Sequence, residues 1–125
     1  MIRERALKVV LVLLGLLFLA GVYLLMQRDT PIFAQMMISL YVTLGVFLLI
    51  AARDPAAHRS LIAFAAWANL AHGTVMAMQV VRHQIPRSDL LGAVLPLYII
   101  GAVLLALAPA ARRPAVRPAA AAAAA

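Results

Sequence analysis

The segment Val9–Gln27, VVLVLLGLLFLAGVYLLMQ, runs for 19 residues without a charged side chain. A helix of about 20 residues, rising about 1.5 Å per residue, crosses the roughly 30 Å hydrocarbon core of a bilayer. No water reaches the backbone N–H and C=O groups in that core, so the chain must satisfy them internally by forming a helix. The segment therefore predicts a membrane-spanning helix, which sets the fold class for the rest of the chain.

Three more uncharged segments of 22 to 23 residues follow the first, at Thr30–Ala52, Ser60–Val81 and Leu90–Ala111. Of the 125 residues, 66% are hydrophobic and 12% are charged, whereas about a quarter are charged in a typical soluble domain. Short connections join neighbouring helices in antiparallel order. We therefore expect an all-α membrane protein with one four-helix transmembrane domain, residues 1–111, in an up-down-up-down bundle. The predicted helices cover about residues 7–27, 31–52, 59–82 and 89–109.

The positive charge, a formal net +7 with 11 Lys and Arg, lies at the ends of the predicted helices. A nucleic-acid-binding protein spreads such residues over a folded face, so we expect no nucleic-acid partner. Eight basic residues fall on one side of the membrane, namely Arg3, Arg5, Lys8, Arg53, Arg59, Arg112, Arg113 and Arg117. Three fall on the other side, namely Arg28, Arg82 and Arg87. Because positive charge in short loops stays in the cytoplasm, both termini are predicted to be cytoplasmic.

Residues 112–125 form a basic tail rich in proline and alanine. This composition predicts a flexible cytoplasmic segment. The alternative is that its three arginines contact anionic lipid headgroups, at about 1 kcal/mol each. The chain has no cysteine, which excludes disulfides and thiolate metal sites within it.

The second and third predicted helices each carry a stripe of polar side chains on one face. The stripe of the second helix contains Gln35, Ser39 and Thr43, and the stripe of the third contains Asn69, His72, Met76 and Gln79. Spacings of three and four residues place each set on one side of its helix. The two sets also match in depth when each residue is counted as about 1.5 Å of helix. Since polar groups in hydrocarbon are stabilised by finding partners, we predict that the stripes meet in a polar helix–helix interface.

Two residues of the fourth segment predict local features of its helix. Pro96 lacks a backbone N–H and is expected to bend the helix. Gly101 is expected to allow a neighbouring helix to approach closely.

His72 is the candidate functional residue, because an ionisable side chain about ten positions inside a membrane helix is by default a functional-site candidate. Tyr41 and Tyr98 fall at a similar depth and Trp67 lies about one turn deeper. With Asn69, they are candidate binding residues for a haem, a chlorophyll-type pigment or a quinone headgroup. A b-type haem takes two axial ligands, so it would require a homodimer or a second subunit here. The alternative is that neutral His72 hydrogen-bonds to the second helix and holds the packing together.

Catalytic and transport functions lack the residues that they need. All four acidic residues, Glu4, Asp29, Asp54 and Asp89, lie at helix ends. A proton-coupled exporter would have only His72 to carry its proton within the membrane. The sequence contains no paired carboxylates, no metal-ligand spacing and no serine–histidine–acid set at one depth. We therefore expect no catalytic residues, no metal site and no enzyme activity.

Two stretches carry a resemblance to a known family. They are RERALKVVLVLLGLLFLAGVY, from Arg3 to Tyr23, and ISLYVTLGVFLLIAARDPAAHRSLIAFAAWANLAHGTVMAMQ, from Ile38 to Gln79. The chain resembles a bacterial family of small four-helix integral membrane proteins of unknown function, and it is loosely similar to DoxX-like four-helix proteins. The resemblance implies a bacterial inner-membrane location and four helices. It implies no activity, so no residue role follows from it.

The function expected from these observations is that of a multi-pass bacterial inner-membrane protein without a known activity. The leading interpretation is a structural or accessory subunit that contacts the lipid bilayer and other membrane subunits, or a second copy of itself, through its helices. The alternative is a binding protein for a lipophilic cofactor at His72. The sequence leaves the identity of that cofactor open.

Overall fold

The computed structural model describes residues 1–110, in which every regular element is a helix. The elements are α1 (Ile2–Leu19), α2 (Gly21–Leu25), α3 (Ile32–Arg53), α4 (Arg59–Val81), a π-helical turn (Leu90–Val94) and α5 (Leu95–Leu107). Four spans are long and apolar enough to cross a membrane, at Ile2–Leu25, Ile32–Arg53, Arg59–Val81 and Leu90–Leu107. The prediction of four such helices is confirmed. The predicted tail, residues 112–125, lies outside the described residues.

The first span begins earlier than the sequence predicted. α1 starts at Ile2 rather than near residue 7, because Arg, Glu and Lys are good helix formers. Within this charged turn, Lys8 Nζ lies 3.0 Å from Glu4 Oε1, four residues earlier, a spacing that supports a helix. Ala20 separates α1 from α2 but keeps helical angles, with φ −59° and ψ −19°. α1 and α2 therefore form one continuous span.

A proline near the start of the fourth span makes the helix irregular there. Pro96, near the start of α5, has no N–H, and its ring would collide with the carbonyl of Gly92 in a regular α-helix. The backbone instead forms the π-helical turn Leu90–Val94 directly before α5. Such a turn inserts extra backbone and accommodates the ring. The bend predicted at Pro96 stays a prediction, whereas the π-helical turn before it is what the structure shows.

The helices associate as two pairs, α1 with α3 and α4 with α5. A methyl group added to Gly45 of α3 would lie 2.8 Å from the carbonyl oxygen of Gly15 on α1. One added to Gly101 of α5 would lie 2.9 Å from the carbonyl oxygen of Ala66 on α4. Small residues let membrane helices approach this closely, so the predicted close contact at Gly101 is confirmed. The contacts between the pairs are much sparser, although α3 and α4 are neighbours in sequence.

The main buried core joins the two pairs near the start of α1 and the end of α5, a region that we call the closed end. Its buried residues are Leu7, Leu11, Leu14, Leu48, Ala51, Ala52, Ile62, Ala65, Ala66 and Leu104. Arg3 Nη2 donates hydrogen bonds to the carbonyls of Ala106 and Ala108, both at 2.9 Å. Arg59 Nε donates to the carbonyl of Pro109, also at 2.9 Å. The two arginines thus satisfy carbonyls that the end of a helix leaves without partners.

α3 is packed differently along its two halves. Its buried residues, Gly45, Leu48, Ala51 and Ala52, all lie in its second half, at the closed end. The first half, from Ile32 to Leu44, has no buried residue. Between this half and α4 the structure leaves open space, which forms the candidate site.

Candidate functional site

Two adjoining clefts lie between α3 and α4, and we refer to them together as the α3–α4 cleft. The first, of about 440 Å³, is lined by Met37, Leu40, Tyr41, Thr43, Leu44, Phe47, Leu61, Phe64, Ala68 and His72. The second, of about 590 Å³, is lined by Phe33, Ala34, Met37, Ile38, Ala71, His72, Val75, Met76, Gln79, Ile85 and Asp89. Both volumes fall within the range of roughly 300–1,000 Å³ that is typical of ligand pockets. His72 and Met37 belong to both clefts, so His72 stands at their junction.

His72 and Tyr41 form the polar centre of the α3–α4 cleft. Their ring centroids lie 5.7 Å apart with an interplanar angle of 77°, an edge-to-face arrangement. On its other side, Tyr41 meets Phe18 of α1 edge-to-face, at a centroid distance of 5.0 Å. Such aromatic contacts stabilise a ring in one orientation. Phe18 and Tyr41 therefore contact each other within the α1–α3 pair. Tyr41 in turn faces His72, which belongs to the α4–α5 pair.

The Tyr41 hydroxyl and the His72 ring have no hydrogen-bond partner within residues 1–110. His72 lies about 20 Å along α4 from Arg59 and about 14 Å from Val81, which places it deep within the span. Polar groups at such a depth are stabilised by a partner. The side chains around them in the first cleft are almost entirely apolar. The α3–α4 cleft thus contains hydrogen-bonding groups that no described residue occupies.

The hydrogen bonds predicted between the two polar stripes are not found among the described residues. Instead, the Gln35 side chain donates to the carbonyl of Thr30. The Ser39 hydroxyl donates to the carbonyl of Met36, and the Thr43 hydroxyl donates to that of Ser39. Serine and threonine readily bond to a carbonyl three or four residues earlier in a helix, which removes their need for a partner on α4. Met76 and Gln79 do face α3, but across the second cleft rather than in contact through shared hydrogen bonds.

Asn69 is fully buried, with 0% of its surface exposed. Its Nδ2 donates to the carbonyl of Ala65 at 2.7 Å, whereas its Oδ1 has no partner within the described residues. Asn69 lines neither part of the α3–α4 cleft. It therefore belongs to the packed interior rather than to the group around His72, where the sequence interpretation had put it.

Trp67 and Tyr98 are also not brought to His72. Trp67 is 62% exposed and lines neither cleft, because five residues at 100° each place it about 140° around α4 from His72. The hydroxyl of Tyr98 lies 2.8 Å from Thr74 Oγ1, on the side of α4 that packs against α5. The expectation that both aromatic rings wall a pocket beside His72 is therefore wrong, and Tyr41 alone of the three does so.

The apolar walls of the first cleft were missed by the sequence reasoning. On α4 they are formed by Leu61, Phe64 and Ala68, which precede His72 at spacings of three, four and four residues. That spacing defines one helix face. The wall residues could therefore have been identified as those that share a face with His72 between Arg59 and His72. On α3 the corresponding wall includes Phe47.

The arrangement suits non-covalent binding of an apolar molecule with a small polar group. No cluster of three or more histidine, aspartate or glutamate side chains that could hold a metal ion occurs within residues 1–110. The close approach of the Tyr41 and His72 rings also limits the shapes that fit between them. A planar ring needs about 3.5 Å on each face, whereas the Tyr41 and His72 rings meet edge to face with centroids 5.7 Å apart, so a ligand would lie beside the pair rather than between its rings.

Comparison with known proteins places the chain in a family but gives it no activity. No curated protein matches the sequence. No solved structure matches it either. A family of unknown function matches residues 4–122, which cover all but the first two residues of the four candidate membrane spans. The chain therefore belongs to the family of unknown function DUF6632.

Proposed function

We propose that the protein binds a lipophilic molecule in the α3–α4 cleft, and that its role is binding rather than catalysis. The observation that carries this proposal is the placement of His72 at the junction of two clefts, beside Tyr41 of the first cleft, deep within the spans. Neither side chain has a hydrogen-bond partner within residues 1–110. The apolar walls favour a hydrocarbon ligand. The two polar groups favour a ligand that also carries a hydrogen-bonding group.

Filling the cleft tests the proposal without changing Tyr41 or His72. Ala68 lines the first cleft, and Ala68→Trp would occupy part of its 440 Å³. Ala102→Trp is the matched control, because Ala102 is exposed on α5 and lines neither cleft. Lipophiles that co-purify with each variant in a mild detergent would be extracted and measured by mass spectrometry against the wild type.

We expect one lipophile class to be retained by the wild type and by Ala102→Trp, and to be lost from Ala68→Trp. Thr43→Trp fills the same cleft from α3 and should have the same effect, which guards against misfolding of either variant alone. Equal retention by all four proteins would refute the proposal. So would the absence of any retained lipophile.

We propose further that the protein lies in a bacterial inner membrane, with its four spans alternating in direction and both termini in the cytoplasm. The charge asymmetry of eight basic residues against three supports this orientation. The hydrogen bonds from Arg3 to Ala106 and Ala108 support it too, because they bring the start of α1 to the end of α5. The family resemblance supports the bacterial location, and the four-helix count supports a relation to DoxX-like proteins.

A fusion to alkaline phosphatase after Ala110 tests the orientation. The phosphatase should be inactive at this position, because it folds only in the periplasm, whereas a green fluorescent protein fused there should be fluorescent. Phosphatase activity would reverse the assignment.

A role as an accessory subunit is the second candidate, and the surface around Trp67 favours it. Trp67 is 62% exposed at about 12 Å along α4 from Arg59, away from the membrane interfaces where tryptophan is usually found. Tryptophan at such a surface is typical of protein contacts. Trp67→Leu should weaken recovery of a partner subunit, or of a second tagged copy, from native membranes. Tyr23→Leu, at another exposed aromatic residue, should not. Equal recovery from both variants would remove this candidate.

A further inference from the structure

We infer that the ligand of the α3–α4 cleft is a quinone with a hydrocarbon tail, whose ring oxygens hydrogen-bond to Tyr41 and His72. The inference rests on the proposed lipophile-binding function and narrows it to one chemical class. It concerns binding alone and includes no electron-transfer step.

The depth of the polar pair separates quinones from ordinary membrane lipids. His72 lies about 14 Å along α4 from its nearer end. The headgroup of a phospholipid or the carboxylate of a fatty acid carries charge, and a charge is expensive to bury at that depth. A quinone is neutral, and its only polar atoms are a few oxygens. Its ring can therefore reach the Tyr41–His72 pair while its tail remains in hydrocarbon.

The chemistry of the pair matches both forms of a quinone. A tyrosine hydroxyl can donate or accept a hydrogen bond, and a neutral imidazole has one N–H donor and one acceptor nitrogen. Tyr41 and His72 can therefore donate to the carbonyls of a quinone, and they can accept from the hydroxyls of the corresponding quinol. No other polar group within the described residues occupies them.

The shape of the site fits an aromatic ring with a chain. Phe47 and Phe64 line the first cleft beside Leu44 and Leu61, which provides apolar and aromatic walls for a ring and tail. The second cleft continues from His72 towards Ile85 and provides a further apolar path. The quinone ring would lie beside Tyr41 and His72, whose own rings are in edge-to-face contact with centroids 5.7 Å apart.

The experiment compares two probes in lipid nanodiscs that contain the full chain. One probe is a benzoquinone with a fully substituted ring and a decyl tail. The other is decylbenzene, which has a ring and the same tail but no oxygen. Equilibrium binding is measured as the excess of each probe over that in protein-free nanodiscs. The variants are Tyr41→Phe and His72→Leu, and Tyr23→Phe is the matched control at an exposed tyrosine outside both clefts.

The wild type and Tyr23→Phe should bind the quinone more tightly than decylbenzene. Each lost hydrogen bond should weaken quinone binding about fivefold, so Tyr41→Phe and His72→Leu should each show this loss, with decylbenzene unaffected. The infrared carbonyl band of the bound quinone should shift to lower frequency in the wild type. It should return towards its value in lipid when both side chains are replaced.

The inference is overturned if the wild type binds quinone no better than decylbenzene, or if neither variant weakens quinone binding. Loss of the co-purified lipophile from Ala68→Trp would in that case leave the proposed function standing with another ligand class. If Ala68→Trp also changed nothing, the lipophile-binding function itself would fail.

Discussion

α3 and α4 take part in both the closed end and the α3–α4 cleft, yet they pack in opposite ways in the two regions. At the closed end they bury small or compact side chains such as Ala51, Ala52, Ala65 and Ala66. In the cleft they present larger side chains such as Tyr41 and His72, with open space between them. The distance between two helices follows the size of the side chains at their contact. A change in residue size along two helices therefore produces a packed end and an open site.

The difference shows how a small membrane protein can hold a binding site without a separate domain. The glycine contacts at Gly15–Gly45 and Ala66–Gly101 hold each helix pair tightly together. The Arg3 hydrogen bonds and the closed-end core then join the pairs at one end. The α3–α4 cleft lies in the remainder of the interface between the pairs. Stability and the proposed ligand binding thus belong to different parts of the same helices.

The largest effect on this arrangement is expected from Gly45→Ala. The added methyl would lie 2.8 Å from the Gly15 carbonyl oxygen and 3.2 Å from the Leu19 nitrogen, and backbone atoms cannot move aside as a flexible side chain can. Forcing such a contact costs about 1–3 kcal/mol. We expect a loss of that size in the free energy of unfolding relative to a glycine-to-alanine change that meets no clash, measured by denaturant titration in mild detergent.

Gly92→Ala is the matched control for this variant, because nothing lies within 4 Å of a methyl group at that position. Both variants exchange glycine for alanine in helical backbone, which restricts the unfolded chain in the same way, so the difference between the two variants reports mainly the clash. Equal stability of the two would show that α1 and α3 are not held together by close backbone contact at Gly45.

A smaller effect is expected from Arg3→Ala at the closed end. The change removes the hydrogen bonds from Arg3 to the carbonyls of Ala106 and Ala108. Because these bonds are exposed to solvent, we expect a loss of only about 1 kcal/mol in the free energy of unfolding. Arg5→Ala is the control, since Arg5 is exposed and makes no side-chain hydrogen bond within the described residues. If the two variants are equally stable, Arg3 does not join the helix pairs.

The number of spans could be predicted because it depends on a single property. An uncharged run such as Val9–Gln27 has few alternatives to a membrane-spanning helix. The π-helical turn before Pro96 was not predicted in detail, because the proline indicates an irregular helix but not how the backbone relieves the clash.

The candidate site was predicted only in part, because depth alone was considered. Depth correctly matched Tyr41 with His72, which lie in contact. It wrongly added Trp67, which lies about one turn deeper and faces another direction. The hydrogen bonds predicted between the polar stripes are missing for a different reason, since residues such as Thr43 bond to carbonyls of their own helix. The opening between α3 and α4 depends on how large and small side chains face each other, which requires the helix pairing to be known.

The smallest effect is expected from Asn69→Leu, at the boundary between the closed end and the cleft. Asn69 is fully buried, and its Oδ1 lacks a hydrogen-bond partner within the described residues. An unpartnered buried oxygen is destabilising, and leucine has a similar size. The change also removes the Nδ2 hydrogen bond to the Ala65 carbonyl. The two contributions oppose each other, so we expect the free energy of unfolding to change by less than about 1 kcal/mol.

The same denaturant titration checks this, with Asn69→Asp as a comparison that should be clearly less stable because it brings a carboxyl group into the core. A large loss in Asn69→Leu would mean that Oδ1 has a partner in the membrane, and the packed interior would then extend to a second polar site beside the cleft.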